Sequence, residues 1–434
     1  MNFLKNVVVF ILTLEAKIII NKYKPFVIAI TGSVGKTSTK DAVYHIVKDT
    51  FPYVRKSEKS MNSEIGLPLT IIGLPNAWKN PLMWIANIFK GFKVCFFDKH
   101  YPDCLVLEVG ADHPRDIQKV SKWLKVDIAI ISKIGATPVH VEFFKSPDHI
   151  FEEKASLLNA IKKGGHLILF ADEPKMLTLA DRVMGKDIQV ITYGMSQNAS
   201  IKASDYKIIY KPKPVGMSFI VTGPTSVPRS DLVLTGVIGQ SFIYSILAGI
   251  AVGNLRGVSI EHMIKSFEGF EYPHGRMNIL SGLNDSVIID DTYNSSPDAV
   301  VSAFETLKAV SCSGRKIAVL GDMMELGKYS SEEHRKIGKM VFDIADILVT
   351  VGVRSKAGIV DEALKSGMSQ DNVYSFDDAI SAGEFLKSFV RAGDIILVKG
   401  SQSTRLEKTV SLILDPRLDP KKLLVRQEEE WLRR

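Results

Sequence analysis

At residues 26–30 the chain reads Phe-Val-Ile-Ala-Ile, an unbroken apolar run of strand length, and polar, glycine-containing positions follow at once. From Lys36 to Val47 the apolar positions recur at helical steps. A short continuous run predicts a strand buried on both faces, and strand, glycine turn and helix in series open an α/β nucleotide-binding domain. Residues 105–107, 128–131 and 167–170 repeat the strand pattern. Between about residues 201 and 233, short β-rich runs are broken by Pro212, Pro214, Gly223 and Pro224, which predicts a small antiparallel addition to the same domain. A helix is expected at 241–252. After Gly275 a second series begins, with apolar runs at 287–289, 317–320, 347–351 and 395–398 separated by helical spans. That pattern predicts a separate parallel-sheet domain of Rossmann-like type, with the boundary near residues 273–276. The expected organisation is therefore α/β throughout: a helix at 1–24, a central domain at 25–272 and a C-terminal domain at 273–434.

Two apolar segments fall outside this scheme. Residues 7–14 are almost wholly apolar, with Lys5 before them and Glu15 and Lys17 after. A membrane span needs about 20 such residues, and a signal peptide would end in a small-x-small site rather than Glu15-Ala16-Lys17. The segment is either a helix packed on the body of the protein or one lying in a membrane interface, where Lys5, Lys17, Lys22 and Lys24 would suit anionic headgroups. Residues 81–97 carry Trp84, Ile85, Ile88, Phe89, Phe92 and Phe96 at three- and four-residue steps, with Lys90 and Lys93 among them. They predict an amphipathic helix that either packs in the core or joins the first helix in docking on a membrane or a partner.

Composition narrows the classes. The 434 residues are 46% hydrophobic and 24% charged, which excludes disordered and low-complexity chains and suits two or three domains. The 55 Lys and Arg against 48 Asp and Glu leave +7, spread along the chain, so no nucleic-acid partner is expected. Cys95, Cys104 and Cys312 lack metal-ligand spacing and are odd in number, which argues against a disulfide framework or zinc and for a reducing cytosol.

The most specific local signal is Thr31-Gly32-Ser33-Val34-Gly35-Lys36-Thr37-Ser38, between the first strand and its helix. Glycines let backbone N–H groups approach phosphate oxygens, and the helix N-terminus adds the positive end of its dipole. Lys36 supplies a charge for β- and γ-phosphates, and the Thr37 hydroxyl can ligate Mg²⁺. The usual pattern has a further glycine where this chain has Ile30, so the loop is of a shortened kind.

That loop, with the motifs downstream, resembles the Mur ligase family of ATP-dependent amide-forming enzymes. Glu108-Val109-Gly110-Ala111 with His113-Pro114 is similar to the family's acidic strand end. Ile134-Gly135 leading to His140-Val141-Glu142, with Glu153-Lys154 beyond, resembles its histidine and lysine motif. Asp290-Asp291-Thr292-Tyr293-Asn294 with Pro297-Asp298, residues 320–327, and Val398-Lys399-Gly400-Ser401 complete the set in family order. Within the family the motifs look most like those of members that add D-alanyl-D-alanine to a muramoyl peptide.

The resemblance implies an acid–amino-acid ligase of peptidoglycan precursor synthesis that works through an acyl phosphate. It implies catalytic roles for Lys36, Glu108, His140, Lys154 and Arg276. ATP would be held by residues 32–38 together with Asp290, Asp291 and Asn294, and substrate by Asn62 and Lys399. Two Mg²⁺ ions would rest on Thr37, Glu108, His140 and a carbamylated Lys154. The partners implied are an anionic peptide-bearing precursor and an amino-acid or dipeptide amine, acted on by a cytoplasmic monomer that could also touch the inner membrane face. Other acceptors (another wall polymer, a lipid-linked precursor or a glutamate chain) and a non-catalytic nucleotide-binding scaffold are the alternatives.

Read without the resemblance, several of these residues have plainer roles. Glu108 could form a structural salt bridge, His140 could be a loop residue, and Lys154 beside Glu152 and Glu153 could lie on a solvated face. Asp322 and Glu325 read more as loop-shaping residues than as contacts, and Asn62 could cap a turn. Three departures stand out. Family members carry a front domain for the UDP group, which a phosphate loop at Gly32 leads us to expect is missing. The family's Gly-x-His-Asn stretch here reads Gly239-Gln240-Ser241-Phe242, so different adenine contacts are expected. Residues 78–97 have no counterpart.

Overall fold

The computed structural model describes residues 2–58, 61–78 and 80–432. Met1 at the head of the expected first segment, and Arg433 and Arg434 at the tail of the last, lie outside them. Two sheets organise the chain. The first has nine strands in the spatial order Val54–Lys56, Cys104–Glu108, Phe26–Thr31, Val126–Ile131, Ile161–Phe170, Gln189–Gly194, Ile201–Tyr210, Pro214–Thr222 and Ser230–Thr235. The first seven run parallel, and the last two close the sheet antiparallel. The expected antiparallel addition is thus a continuation of the main sheet. The second sheet has six strands in the order Asn278–Ser281, Val287–Asp291, Ile395–Lys399, Lys316–Gly321, Ile347–Val351 and Val373–Phe376. It is parallel except for its first strand.

The apolar runs lie on central strands and carry no exposed residue; Cys104–Glu108 and Val287–Asp291 are buried throughout. Those the pattern missed are Val54–Lys56, Gln189–Gly194, Asn278–Ser281 and Val373–Phe376. Three of these are edge strands, and Gln189–Gly194 is exposed at its start, so none carries a continuous apolar run. Helix starts follow local chemistry. Asn80, Ser146 and Ser296 each accept an N–H from the first helical turn, and each is followed by proline.

Strand order places the site. The chain leaves Phe26–Thr31 for one side of the sheet and later returns to its other side at Val126–Ile131, so the ends of these strands meet at a switch point. Register sets Ile30 beside Glu108 and Thr31 beside Ile131. In the second sheet Asp291 is opposite Lys399.

The two outlying segments are both helices, Asn2–Tyr23 and Pro81–Phe96, and they pack on each other. The first is seated on the body of the protein through Leu12, Ala16 and Ile19, all fully buried. In the second only Asn87, Gly91 and Cys95 are buried; Trp84 is half-buried against the core, whereas Phe89, Phe92 and Phe96 stay outside it. The reason is steric. These three positions lie four apart on one face, and a side chain at Gly91 would meet the Glu15 carboxylate at 2.1 Å. The close approach selects the small-residue face and turns the aromatic residues outward.

Glu15 itself lies buried between the helices, and one of its carboxylate oxygens has no partner among the described residues. Burial pushes its carboxyl up to about 7. The folded chain therefore holds this proton more tightly than the unfolded chain. The stability it contributes is full below the ordinary value of 4.5 and falls as pH rises toward about 7. Glu15→Gln should flatten that fall, so its urea midpoint should exceed that of the parent chain at alkaline pH and match it in acid.

Candidate active site

The glycine loop is pinned from below. The Ser33 and Val34 N–H groups donate to the Lys133 carbonyl at 2.9 and 3.0 Å, and the Ser132 hydroxyl donates to the Val34 carbonyl at 2.8 Å. Gly32 sits at φ 143°, where a Cβ would stand 2.0 Å from the Ser132 Oγ. Lys154, itself buried, donates to the Gly32 carbonyl at 2.9 Å. Gly35 precedes the helix Lys36–Val47, whose first turn carries Lys36, Thr37 and the buried Ser38.

Around this loop the expected residues converge. The Thr37 hydroxyl donates to Glu108 Oε2 at 3.1 Å, and Asn62 Nδ2 donates to Glu108 Oε1 at 3.0 Å. Asn62 also exchanges backbone contact with Gly110, so it positions Glu108. Glu108 is buried, and among the described residues it forms no salt bridge: its side-chain partners there are a hydroxyl and an amide. Burial pulls the Lys36 ammonium below its ordinary value; Glu108 opposes this and Arg276 adds to it. Lys154 falls to about 7, chiefly by burial and then by repulsion from Lys36, while Asp112, Glu153 and Glu108 act the other way. The solvated-face alternative for Lys154 therefore fails. Glu153 is buried too, and its carboxylate accepts the Arg115, Ile117 and Gln118 N–H groups at 2.8, 2.7 and 3.1 Å.

His140 stands at φ 69°, with Nδ1 2.8 Å from Glu325 Oε2 and Nε2 3.6 Å from Asp112 Oδ1. Glu325 is also left-handed, at φ 63°, and its bond from His140 holds its carboxyl below the usual range. Two left-handed backbones meeting in one side-chain contact across two domains are a feature of functional sites. Glu325 is thus a contact residue, whereas Asp322 does shape its loop, accepting the Ser355 N–H at 2.7 Å.

From the second domain, Arg276 lies over the Tyr293 ring at 4.1 Å, and its buried Nε has no partner among the described residues. Lys399, fully buried, donates to Asp291 at 2.5 Å and to the Asn294 carbonyl at 3.0 Å. Arg276, Asp291 and Lys399 line a gap of about 40 Å³ opposite Val34, Gly35 and Ser38. Asp290 is turned away from it: Oδ1 accepts the Thr292 N–H and hydroxyl, and burial raises its carboxyl to about 6.

Two larger cavities open nearby, the smaller against the loop and the larger beside His140. One of about 240 Å³ is lined by Gly35, Ser241, Tyr244, Ser245, Asp298 and Glu305, among others. The other, of about 530 Å³, is lined by His140, Asn294, Met324, Glu325, Ser401 and Arg405, among others. Asn294 belongs to the second cavity, away from the first. Sequence reasoning missed Asp112, which sits unremarked inside the 108–114 motif, and Asp298, which reaches Lys133 at 3.4 Å from within Pro297-Asp298.

No cluster of three or more His, Cys, Asp or Glu side chains suited to a metal occurs among the described residues. The Thr37 and Glu108 oxygens, side by side, fit one hard cation whose remaining ligands come from phosphate and water.

Comparison with known proteins agrees in extent as well as in motif. Residues 30–83 and 91–253 match the Mur ligase middle domain, and residues 275–402 match the Mur ligase glutamate ligase domain. The UDP-N-acetylmuramoyl-tripeptide–D-alanyl-D-alanine ligase of Bacillus subtilis is 27% identical over 390 residues, covering 90% of this chain and 76% of that one. The enzyme of the same name from Mycobacterium leprae is 28% identical over 88% of this chain and 72% of its own. The fold is shared with the MurF ligase of Thermotoga maritima solved with ADP, at TM-score 0.75 and 24% identity over 93% of this chain and 83% of that one. It is shared also with the folylpolyglutamate synthase of Mycobacterium tuberculosis, at TM-score 0.65 and 16% identity over 93% and 96%.

The Gly32 contact can be tested apart from any activity. Gly32→Ala should cost about 1–3 kcal/mol through overpacking against Ser132, read as a shift in urea unfolding. Gly164→Ala, also at positive φ but with nothing within 4 Å, should cost less; equal losses would mean that the collision is relieved.

Proposed function

The chain belongs to the Mur ligase family, and from that premise we propose that it is an ATP-dependent ligase joining D-alanyl-D-alanine to the peptide of a UDP-muramoyl precursor. The observation that carries this reading is the convergence of Lys36, Thr37, Glu108 and Lys154 on one phosphate loop, with Arg276 and Lys399 facing it from the second domain. Relatives bearing this activity in their names align along nine-tenths of the chain, which supports the choice of acceptor and amine. The three free cysteines suit a cytoplasmic setting.

A carboxylate does not form an amide unaided, because oxide is a poor leaving group. Transfer of the γ-phosphoryl of ATP to the carboxylate gives an acyl phosphate and ADP. The amine then attacks the acyl carbon, and phosphate departs after a tetrahedral intermediate. Both steps shift negative charge, so fixed positive groups stabilise them. Lys36 and Arg276 face the phosphates from opposite domains, and the Arg276 Nε and Ser33 hydroxyl, without partners among the described residues, are polar groups able to contact an anion there. The 240 Å³ cavity takes the nucleoside, with Ser241 where the family places its histidine, Tyr244 one helical turn on, and Asp298 and Glu305 as acceptors for ribose hydroxyls. The 530 Å³ cleft beside His140 takes the reacting peptide end and the amine.

Thr37 and Glu108 would hold one Mg²⁺, and His140 with carbamylated Lys154 a second. Such ions supply positive charge against the phosphoryl and carboxylate oxygens. With its ammonium lowered to about 7, Lys154 is partly neutral near neutrality, and a neutral amine adds carbon dioxide. The resulting carbamate replaces a charge that would repel a cation.

The test is phosphate release with product analysis. Turnover should require both a UDP-muramoyl tripeptide and D-alanyl-D-alanine, and Lys36→Ala should lower it by at least about 100-fold. Hydrolysis indifferent to both partners, with no amide formed, would overturn the assignment. Product only with a lipid-linked or glutamyl acceptor would keep the chemistry and replace the substrate. Separately, ¹³C-labelled bicarbonate should give a carbamate resonance that is absent in Lys154→Arg and that grows as pH rises through about 7, where the amine loses its proton.

A further inference from the structure

The helix Pro81–Phe96 shows solvent the face that an amphipathic helix ordinarily hides. Its buried side is Asn87, Gly91 and Cys95, laid against the N-terminal helix, with the Cys95 thiol donating to the Glu15 carbonyl at 3.5 Å. Leu82, Ile85, Phe89, Phe92 and Phe96 recur at three- and four-residue steps on the opposite side and are all exposed, Leu82 at 75% and Phe89 at 70%. Val7, Phe10 and Leu14 form a parallel stripe on the adjoining helix, with Phe10 68% exposed. Singly exposed apolar residues are common, but two adjoining stripes are not.

The charges beside these stripes have one sign. Residues 1–24 and 81–99 contain seven lysines against Glu15 and Asp98, and Glu15 is buried between the helices. Lys5 pairs with Glu64, Lys93 lies 3.8 Å from Asp98, and Lys22 donates to the Asp98 carbonyl. Lys17, Lys24, Lys90 and Lys99 stand exposed. The helix Pro81–Phe96 itself has no acidic residue. At its start Trp78 is exposed and its carbonyl accepts the Trp84 indole N–H at 3.1 Å, an aromatic pair of the kind that settles at headgroup level.

We propose that this two-helix face docks on an anionic lipid bilayer, with the aromatic stripe at the acyl boundary and the lysines among the headgroups. No helix among the described residues is long and apolar enough to cross a membrane, so the contact is made from one side. A second copy fits less well, because apposing two such faces would bring the Lys90 and Lys93 of each chain together.

Flotation of the full chain with vesicles tests this. The chain should float with phosphatidylcholine vesicles containing phosphatidylglycerol, and much less with phosphatidylcholine alone or at high ionic strength. Tryptophan emission should shift to the blue on addition of the anionic vesicles. Phe89→Ser with Phe92→Ser, and separately Lys90→Glu with Lys93→Glu, should each lower the partition coefficient by about tenfold or more, with unchanged thermal melting. Failure of the parent chain to float with anionic vesicles at low ionic strength would overturn the proposal. Equal flotation of both folded variants would do so too, as would a concentration-dependent dimer that the phenylalanine variant dissolves while vesicle binding is absent.

Discussion

Gly32 lies so near Ser132 that no side chain fits between them, and the candidate site is arranged around that contact. It lets the loop settle on the Lys133 carbonyl, which fixes where the helix Lys36–Val47 begins. Once the helix start is fixed, Thr37 meets Glu108, and the freed Gly32 carbonyl becomes the acceptor for Lys154. A buried ammonium needs such an acceptor, because desolvation without a partner would expel it from the site or strip its proton. The loop backbone and the lysine therefore hold each other in place. The same segment also joins the domains, since Lys133 reaches Asp298 of the second one.

That junction continues along the cleft. Thr137 donates to the buried Glu333 at 3.0 Å, and His140 meets Glu325 at 2.8 Å. Both contacts pair a residue just beyond the strand Val126–Ile131 with one from the second domain. A shift of the second domain would thus move Glu325 off His140 and Arg276 away from the loop together. For a ligase, which must admit two substrates and ATP and then exclude water, coupling the proposed site histidine to domain position is physically useful.

The sequence was most readable where chemistry is local. The strand at 26–31, its glycine turn and the following helix are written in adjacent residues, and Asn80-Pro81, Ser146-Pro147 and Ser296-Pro297 announce their helices. Lys36, Thr37 and Glu108 were legible for the same reason, each standing at a strand end or first helical turn. Edge strands were not, because an edge strand need not be apolar on both faces. Asp112 went unassigned and Glu325 reads as loop-shaping, since an acidic loop residue looks alike whether it faces water or a histidine from another part of the chain.

By itself, then, the sequence determined the order of elements, the phosphate loop and the family to which the motifs belong, because periodicity and short-range turn chemistry are properties of neighbouring residues. Tertiary structure alone decided which face each element hides. Lys154, preceded by two glutamates, is buried because it finds the Gly32 carbonyl far along the chain, and its proton is loosened first by that burial and then by the Lys36 charge. Phe89 and Phe92 are exposed because Gly91 and Cys95 fit the neighbouring helix more closely than an aromatic ring could. Burial is a relation between distant segments, and no window of adjacent residues contains it.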